Sequence, residues 1–108
     1  MDAVFRALGS AVRRRILDIV KNRPGCSVQE VCAHFEMSRI AVMKHLRILE
    51  EAQLIHSEKN GRTRELYHNT VPIQMIYDRW TTEYSALWGS RMTRIKYAIE
   101  QRGEPTDE

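Results

Sequence analysis

The sequence predicts a mainly α-helical protein that carries one β-hairpin, and three observations predict it. Apolar residues recur at helical spacing through most of the 108 residues. Around Asn60-Gly61 the period drops to about two, as a strand–turn–strand requires. Ser27-Val28-Gln29-Glu30 has the form of a capping box, in which side chain and backbone satisfy each other at a helix start.

The elements follow in order. Val4, Phe5 and Leu8 lie on one face of a short helix that Gly9 stops. Ser10 can cap a second helix, whose stripe is Val12, Ile16, Ile19 and Val20. Arg23-Pro24-Gly25 ends it. Ser27 then starts a short helix with Val31, Cys32 and Phe35, and Glu36-Met37-Ser38 forms a tight turn. Ser38 caps the next helix, 38–52, where Val42, Leu46 and Leu49 ask to be buried. The hairpin spans 54–69, with Asn60-Gly61 as its two-residue turn, both at positive φ. Pro72 opens a last helix from about Ile73 to Glu100, roughly 40 Å long at 1.5 Å per residue. Two short helices joined by a tight turn and followed by a hairpin make a winged helix-turn-helix.

Composition sets the class. Hydrophobic residues are 43% and charged residues 29% of the chain, as in an ordinary soluble domain. The length suits one domain over residues 1–101, followed by a disordered acidic tail at 102–108. No apolar run approaches membrane-spanning length and the start carries no secretion signal, so the expected location is cytoplasmic, with no membrane partner. The net charge of +3 favours anionic partners only mildly. Its distribution says more: residues 1–25 hold six Lys and Arg against two acids, and residues 38–68 hold six against four.

Three stretches carry a family resemblance. They are "FRALGSAVRRRILDIV", "SVQEVCAHFEMSRIAVMKHLRILEEAQLI" and "NGRTRELYHN", of which the run from Ser38 to Ile55 is the most specific. They resemble the ArsR/SmtB family of bacterial winged-helix transcriptional repressors over roughly residues 2–100. The resemblance implies a homodimer that pairs through its first and last helices and binds operator DNA. It implies no particular inducer, so a small-molecule inducer of unknown chemistry stays open. The family commonly has a left-handed glycine cap where this chain has Gln53. It often has small hydroxyl residues or glutamine where Arg39, Ile40 and Met43 stand, so no base preference carries over.

Residues and resemblance together name the DNA-binding candidates. Ser38, Arg39, Ile40, Met43 and Lys44 lie in the turns of a recognition helix that enter the major groove. Arg39 suits a guanine edge, and Ile40 and Met43 suit thymine methyls or mere packing. Ser38, Lys44 and Arg47 suit phosphates. Arg62 and Arg64, at the hairpin tip with Lys59, would grip backbone or minor groove as a wing. Arg13, Arg14 and Arg15 span too much of a helical wheel to face one ligand; one is expected near a phosphate and the others in water. His45 is expected to make an orienting hydrogen bond within the fold. A winged helix used for protein–protein contact is the competing reading, and these basic residues weigh against it.

Val4, Phe5, Leu8, Tyr77, Trp80, Tyr84 and Trp88 are the candidate dimer interface, because so long an apolar stripe exceeds what one small core can bury. The alternative use of Tyr77, Trp80, Tyr84 and Trp88, as an apolar ligand pocket, has the weaker warrant.

No metal, cofactor or catalytic role is expected. Cys32 and His34 stand two apart on a helix and diverge, and Cys32 suits a small core position. Cys26 lies just outside that helix. Asp78 and Glu83 alone do not make a site. His56 and His68 are expected near each other on the hairpin but lack a third ligand. A Cys26–Cys32 disulfide does not suit a reducing cytosol. Phosphate-binding glycine loops and nucleophile signatures are absent, so the chain does not read as an enzyme.

Overall fold

A computed structural model describes residues 1–81 and 83–101, with side chains described through residue 81 and at 89 and 91–99. The expected acidic tail and the side chains of Tyr84 and Trp88 lie outside the described residues. The order is α1 (Asp2–Leu8), α2 (Ala11–Asn22), β1 (Cys26–Ser27), α3 (Val28–Cys32), α4 (Arg39–Glu51), β2 (Ile55–Asn60), β3 (Thr63–His68), α5 (Val71–Trp80) and α6 (Glu83–Gln101). Two compact units make up the chain, Met1–Met75 and Ile76–Glu108.

In the first unit, caps set the helix starts. Ser10 Oγ accepts from Arg13 N at 3.3 Å. The capping box is complete: Glu30 N donates to Ser27 Oγ at 3.1 Å, and Ser27 N donates to the Glu30 carboxylate at 3.0 Å. That backbone N–H, helped by Arg23 at 3.1 Å, holds the Glu30 carboxyl below its usual value despite some desolvation. Ser38 Oγ accepts from Ala41 N at 3.1 Å. The core gathers Ile16 and Val20 from α2, Val31 from α3, Val42 and Leu49 from α4, and Leu54 and Leu66 from the hairpin.

Several elements depart from the sequence reading. The stripe of α2 centres on Ile16, Leu17 and Val20, while Val12 and Ile19 are half-buried. The turn after α3 runs over residues 33–38 rather than three residues, closed first by His34 N to Val31 O and Phe35 N to Cys32 O. Cys26 belongs to a strand, because Gly25 at φ 86° turns the chain so that Cys26 and Ser27 pair with Leu66 and Glu65. The sheet is antiparallel in the order β1-β3-β2. Cys26 is the buried cysteine and Cys32 is only half-buried. Burial pushes the Cys26 thiol up, which keeps it protonated.

The hairpin loop is Gly61-Arg62, not Asn60-Gly61, since Asn60 pairs with Thr63. Only Gly61, at φ 66°, is left-handed, the pattern of a II′ rather than a I′ turn. Gln53, at φ 61°, is the positive-φ non-glycine residue among those described. It takes the left-handed place expected for the family's glycine, at the end of α4.

The expected single last helix is two. Asn69 Oδ1 accepts from Val71 N at 3.2 Å and starts α5 one residue before Pro72. The hydroxyl of Thr81 donates to the Tyr77 carbonyl, a side-chain bond that competes with the helical ladder where α5 ends. None of the residues of α5 is buried.

Candidate nucleic-acid interface

The helix α4 has 13 residues and is sharply two-faced. Val42, Leu46 and Leu49 are buried, while Arg39, Ile40, Met43, Lys44 and Arg47 are exposed. Ile40 is 71% exposed and so stands on the outer face of the helix with the basic residues.

The hairpin segregates its charge by register. Lys59 stands opposite Arg64, and Glu58 stands opposite Glu65. Directly opposed like charges destabilise a sheet. The acidic pair is relieved locally: Asn60 Nδ2 and Tyr67 OH donate to the Glu65 carboxylate at 3.1 and 3.0 Å, and His56 Nε2 meets Glu58 at 3.3 Å. Accepting that bond, the Glu65 carboxylate raises the Tyr67 hydroxyl above its ordinary pKa. The basic pair lies on the other face, the one that carries buried Ile55 and Leu66. There Arg64 Nη1 donates to Ser57 Oγ at 2.7 Å, which lays its guanidinium along the sheet.

Helix and hairpin meet in a groove of about 290 Å³. Arg39 and Met43 line it from α4, Arg62 and Arg64 from the hairpin, with Ser27, Val28, Gln29 and Thr63. A second hollow of about 190 Å³ adds Arg47 beside Met43 and Arg64. Five of the eight candidate residues therefore share a continuous surface. The N-cap Ser38, and Ile40 and Lys44 on the helix, lie exposed without lining either hollow. Gln29 and Thr63 were not singled out from sequence; the capping box located the start of α3, but nothing in it says that Gln29 turns toward α4.

The comparisons with known proteins come to the same place. A helix-turn-helix domain family matches residues 8–58. The HTH-type transcriptional regulator YuzN of Bacillus subtilis strain 168 is 34% identical over 85 residues, 73% of this chain and 92% of that protein. A solved ArsR family transcriptional regulator superimposes with a TM-score of 0.68 at 30% identity, covering 82% of this chain and 90% of that one. The chain belongs to the ArsR family of winged helix-turn-helix regulators. It is a DNA-binding transcriptional regulator. Its α3 and α4 form the helix-turn-helix, and its hairpin is the wing. The transcriptional repressor SdpR of the same Bacillus strain is 31% identical over 74 residues, 68% of this chain and 81% of that protein.

In this ArsR-family regulator the three consecutive arginines are not reserved for phosphate. Arg13 Nε donates to the Ala7 carbonyl at 2.9 Å and its Nη2 to the Arg6 carbonyl at 3.0 Å. Arg14 Nη1 donates to the Leu8 carbonyl at 2.7 Å. Arg15 lies over the Phe35 ring, 5.5 Å from its centroid. The reason is local: the last backbone bond of α1 runs from Gly9 N to the Arg6 carbonyl, so the Ala7 and Leu8 carbonyls lie past the helical ladder, and the first turn of α2 brings donors to them. His45 does make an orienting contact within the fold, to Arg13.

Metal chemistry has no cluster here: among the described residues no three His, Cys, Asp or Glu side chains gather. His56 and His68, expected near each other, stand on opposite faces of the hairpin, because His68 pairs with Ile55 and His56 with Tyr67. Among the described residues no helix is long and apolar enough to cross a membrane.

Proposed function

We propose that this regulator works in the cytoplasm as a homodimer that binds an inverted-repeat operator and represses transcription from it. The helix α4 enters the major groove, where Arg39, Ile40 and Met43 read bases while Ser38, Lys44 and Arg47 hold phosphates. The wing lays Arg62 and Arg64 against the backbone or into the minor groove. The observation that carries this reading is the common groove of Arg39, Met43, Arg62 and Arg64. The recognition helix and the hairpin that follows it bring their cations to one concave surface, and a polyanion is what relieves the opposed Lys59 and Arg64.

The dimer part rests on exposed apolar surface. Tyr77 and Trp80 on α5, and Met92, Ile95 and Ile99 on α6, are each more than half exposed. The last three recur at helical spacing. Phe5 on α1 is also exposed. Val4, expected at the interface, is instead buried within the chain's own core, so α1 offers Phe5 and half-buried Leu8. A two-fold pair would set the recognition helices about 34 Å apart, one turn of DNA. The name of SdpR supports repression as the sign of control.

Selection of bound duplexes from a random pool tests the reading. The expected product is an inverted repeat with half-sites about one helical turn apart, bound with a steep dependence on salt. A pool that enriches no sequence even at low salt transfers the assignment to a protein-contact winged helix.

A further inference from the structure

Arg13 is placed to do more than close a helix end. Its guanidinium reaches the Ala7 and Arg6 carbonyls at the end of α1, and Nη1 lies 3.2 Å from His45 Nδ1 in the middle of α4. A guanidinium carries five N–H donors and no acceptor. His45 Nδ1 must therefore be the acceptor, and the ring is the neutral form with its proton on Nε2. One side chain of α2 thus holds together the end of α1 and the recognition helix.

We propose that Arg13 is a positioning residue for operator binding: through His45 Nδ1 it ties α1 to the recognition helix, and a proton on that nitrogen releases the tie. The proton comes from solvent, removes the lone pair that accepts from Nη1, and sets an imidazolium against a guanidinium. The charged group that bears on the ring is Arg13 from α2, and α1 contributes the Arg6 and Ala7 carbonyls that fix Arg13. No carboxylate is among the groups acting on the ring to favour its charged form. Burial first, then Arg13, keep His45 below its ordinary pKa, so the tie is made at neutral pH and lost on acidification. Because α1 belongs to the proposed dimer contact, releasing it from α4 loosens the spacing of the two recognition helices. This part rests on the operator-binding reading.

The test uses the full chain and two readouts. Ring titration by NMR, without DNA, should show His45 taking its proton at higher pH in Arg13→Gln than in the wild type. Anisotropy with the selected operator should show wild-type affinity falling about tenfold between about pH 7.5 and about pH 5.5, the worth of one charge-assisted hydrogen bond. His45→Asn keeps an acceptor near Nδ1 but does not titrate; it should bind like the wild type at the higher pH and lose markedly less at the lower. Arg13→Gln should bind about tenfold more weakly at the higher pH. A His45 titration unmoved by Arg13→Gln, or superimposable pH profiles for wild type and His45→Asn, overturns the proposal. Failure of the wild type to select any DNA refutes operator binding, and the positioning role with it, while ring titration still reports the contact by itself.

Discussion

The first unit and the C-terminal helices treat apolar residues in opposite ways. Between α1 and the wing, Ile16, Val20, Val31, Leu49 and Leu66 are almost fully enclosed, and no buried side-chain polar atom among the described residues lacks a partner. Along α5 and α6, Tyr77, Trp80, Met92 and Ile95 stand in solvent. The lesson is that one part of the chain is complete as a folded body, while the other carries a surface that water does not favour. Solvent exposure of scattered apolar residues is ordinary; a helical stripe of them marks a contact.

The largest effect should come from placing a charge in that stripe. Trp80→Asp should raise the dissociation constant of the proposed dimer by at least about a hundredfold, since each protomer forfeits one large side chain worth roughly 1.5–3 kcal/mol. Light scattering across a dilution series reads it, and a dimer that survives breaks the comparison by making the exposed stripe incidental. In the enclosed unit, Leu49→Ala should cost about 2–5 kcal/mol of stability in urea unfolding, because α4 would be undocked from a filled core. A cost under about 1 kcal/mol would mean that this core is not as closely packed as its burial implies.

Changes on the outer face of α4 should separate function from folding. Arg39→Ala with Lys44→Ala should weaken operator binding about a hundredfold and flatten the salt slope, with the melting temperature nearly unchanged. Unaltered affinity would mean that α4 is not the reading element. Acidification should cost the enclosed unit some stability. His45 and His68 are both held below 6.5 chiefly by burial, with Lys21 adding to the effect on His68 and Asp18 opposing it. Well above 6.5 both are neutral, folded or unfolded. As pH falls below 6.5, the unfolded chain binds protons first, so stability declines until the lower folded values are reached. Urea midpoints measured on either side of 6.5 should show it, and His68→Gln should shrink the drop. The smallest change is a gain: Gln53→Gly should stabilise by about 0.5–1 kcal/mol, relieving a left-handed side chain at slightly greater chain entropy. The bond from Asn69 Nδ2 goes to the Gln53 carbonyl at 2.8 Å and survives the substitution.

Much of this was written locally. Ser10, Ser27 and Ser38 mark their helix starts because a hydroxyl three residues before a backbone N–H is a short-range fact. Val42, Leu46 and Leu49 announce the buried face of α4 by spacing alone. The family pattern located Gln53 as the left-handed position. The errors have identifiable causes: the Asn-Gly pair misled by one residue, since hairpin register is set across strands, and the last helix breaks at Thr81 although its apolar period continues past it.

The sequence by itself determined the first four helices and the serine caps of three of them, that a hairpin follows the helix-turn-helix, and which side of α4 is basic. Periodicity and capping act within a few residues, so one chain read alone contains them. Only the tertiary structure decided that Arg39 and Met43 face Arg62 and Arg64, that Gln29 and Thr63 join them, and that Arg13 turns from phosphate to α1 and His45. Those outcomes depend on which long side chain finds which partner between elements, from six residues away for Arg13 and Ala7 to 32 for Arg13 and His45, and that choice is made when the core packs and the free carbonyls at the end of α1 come within reach of a donor.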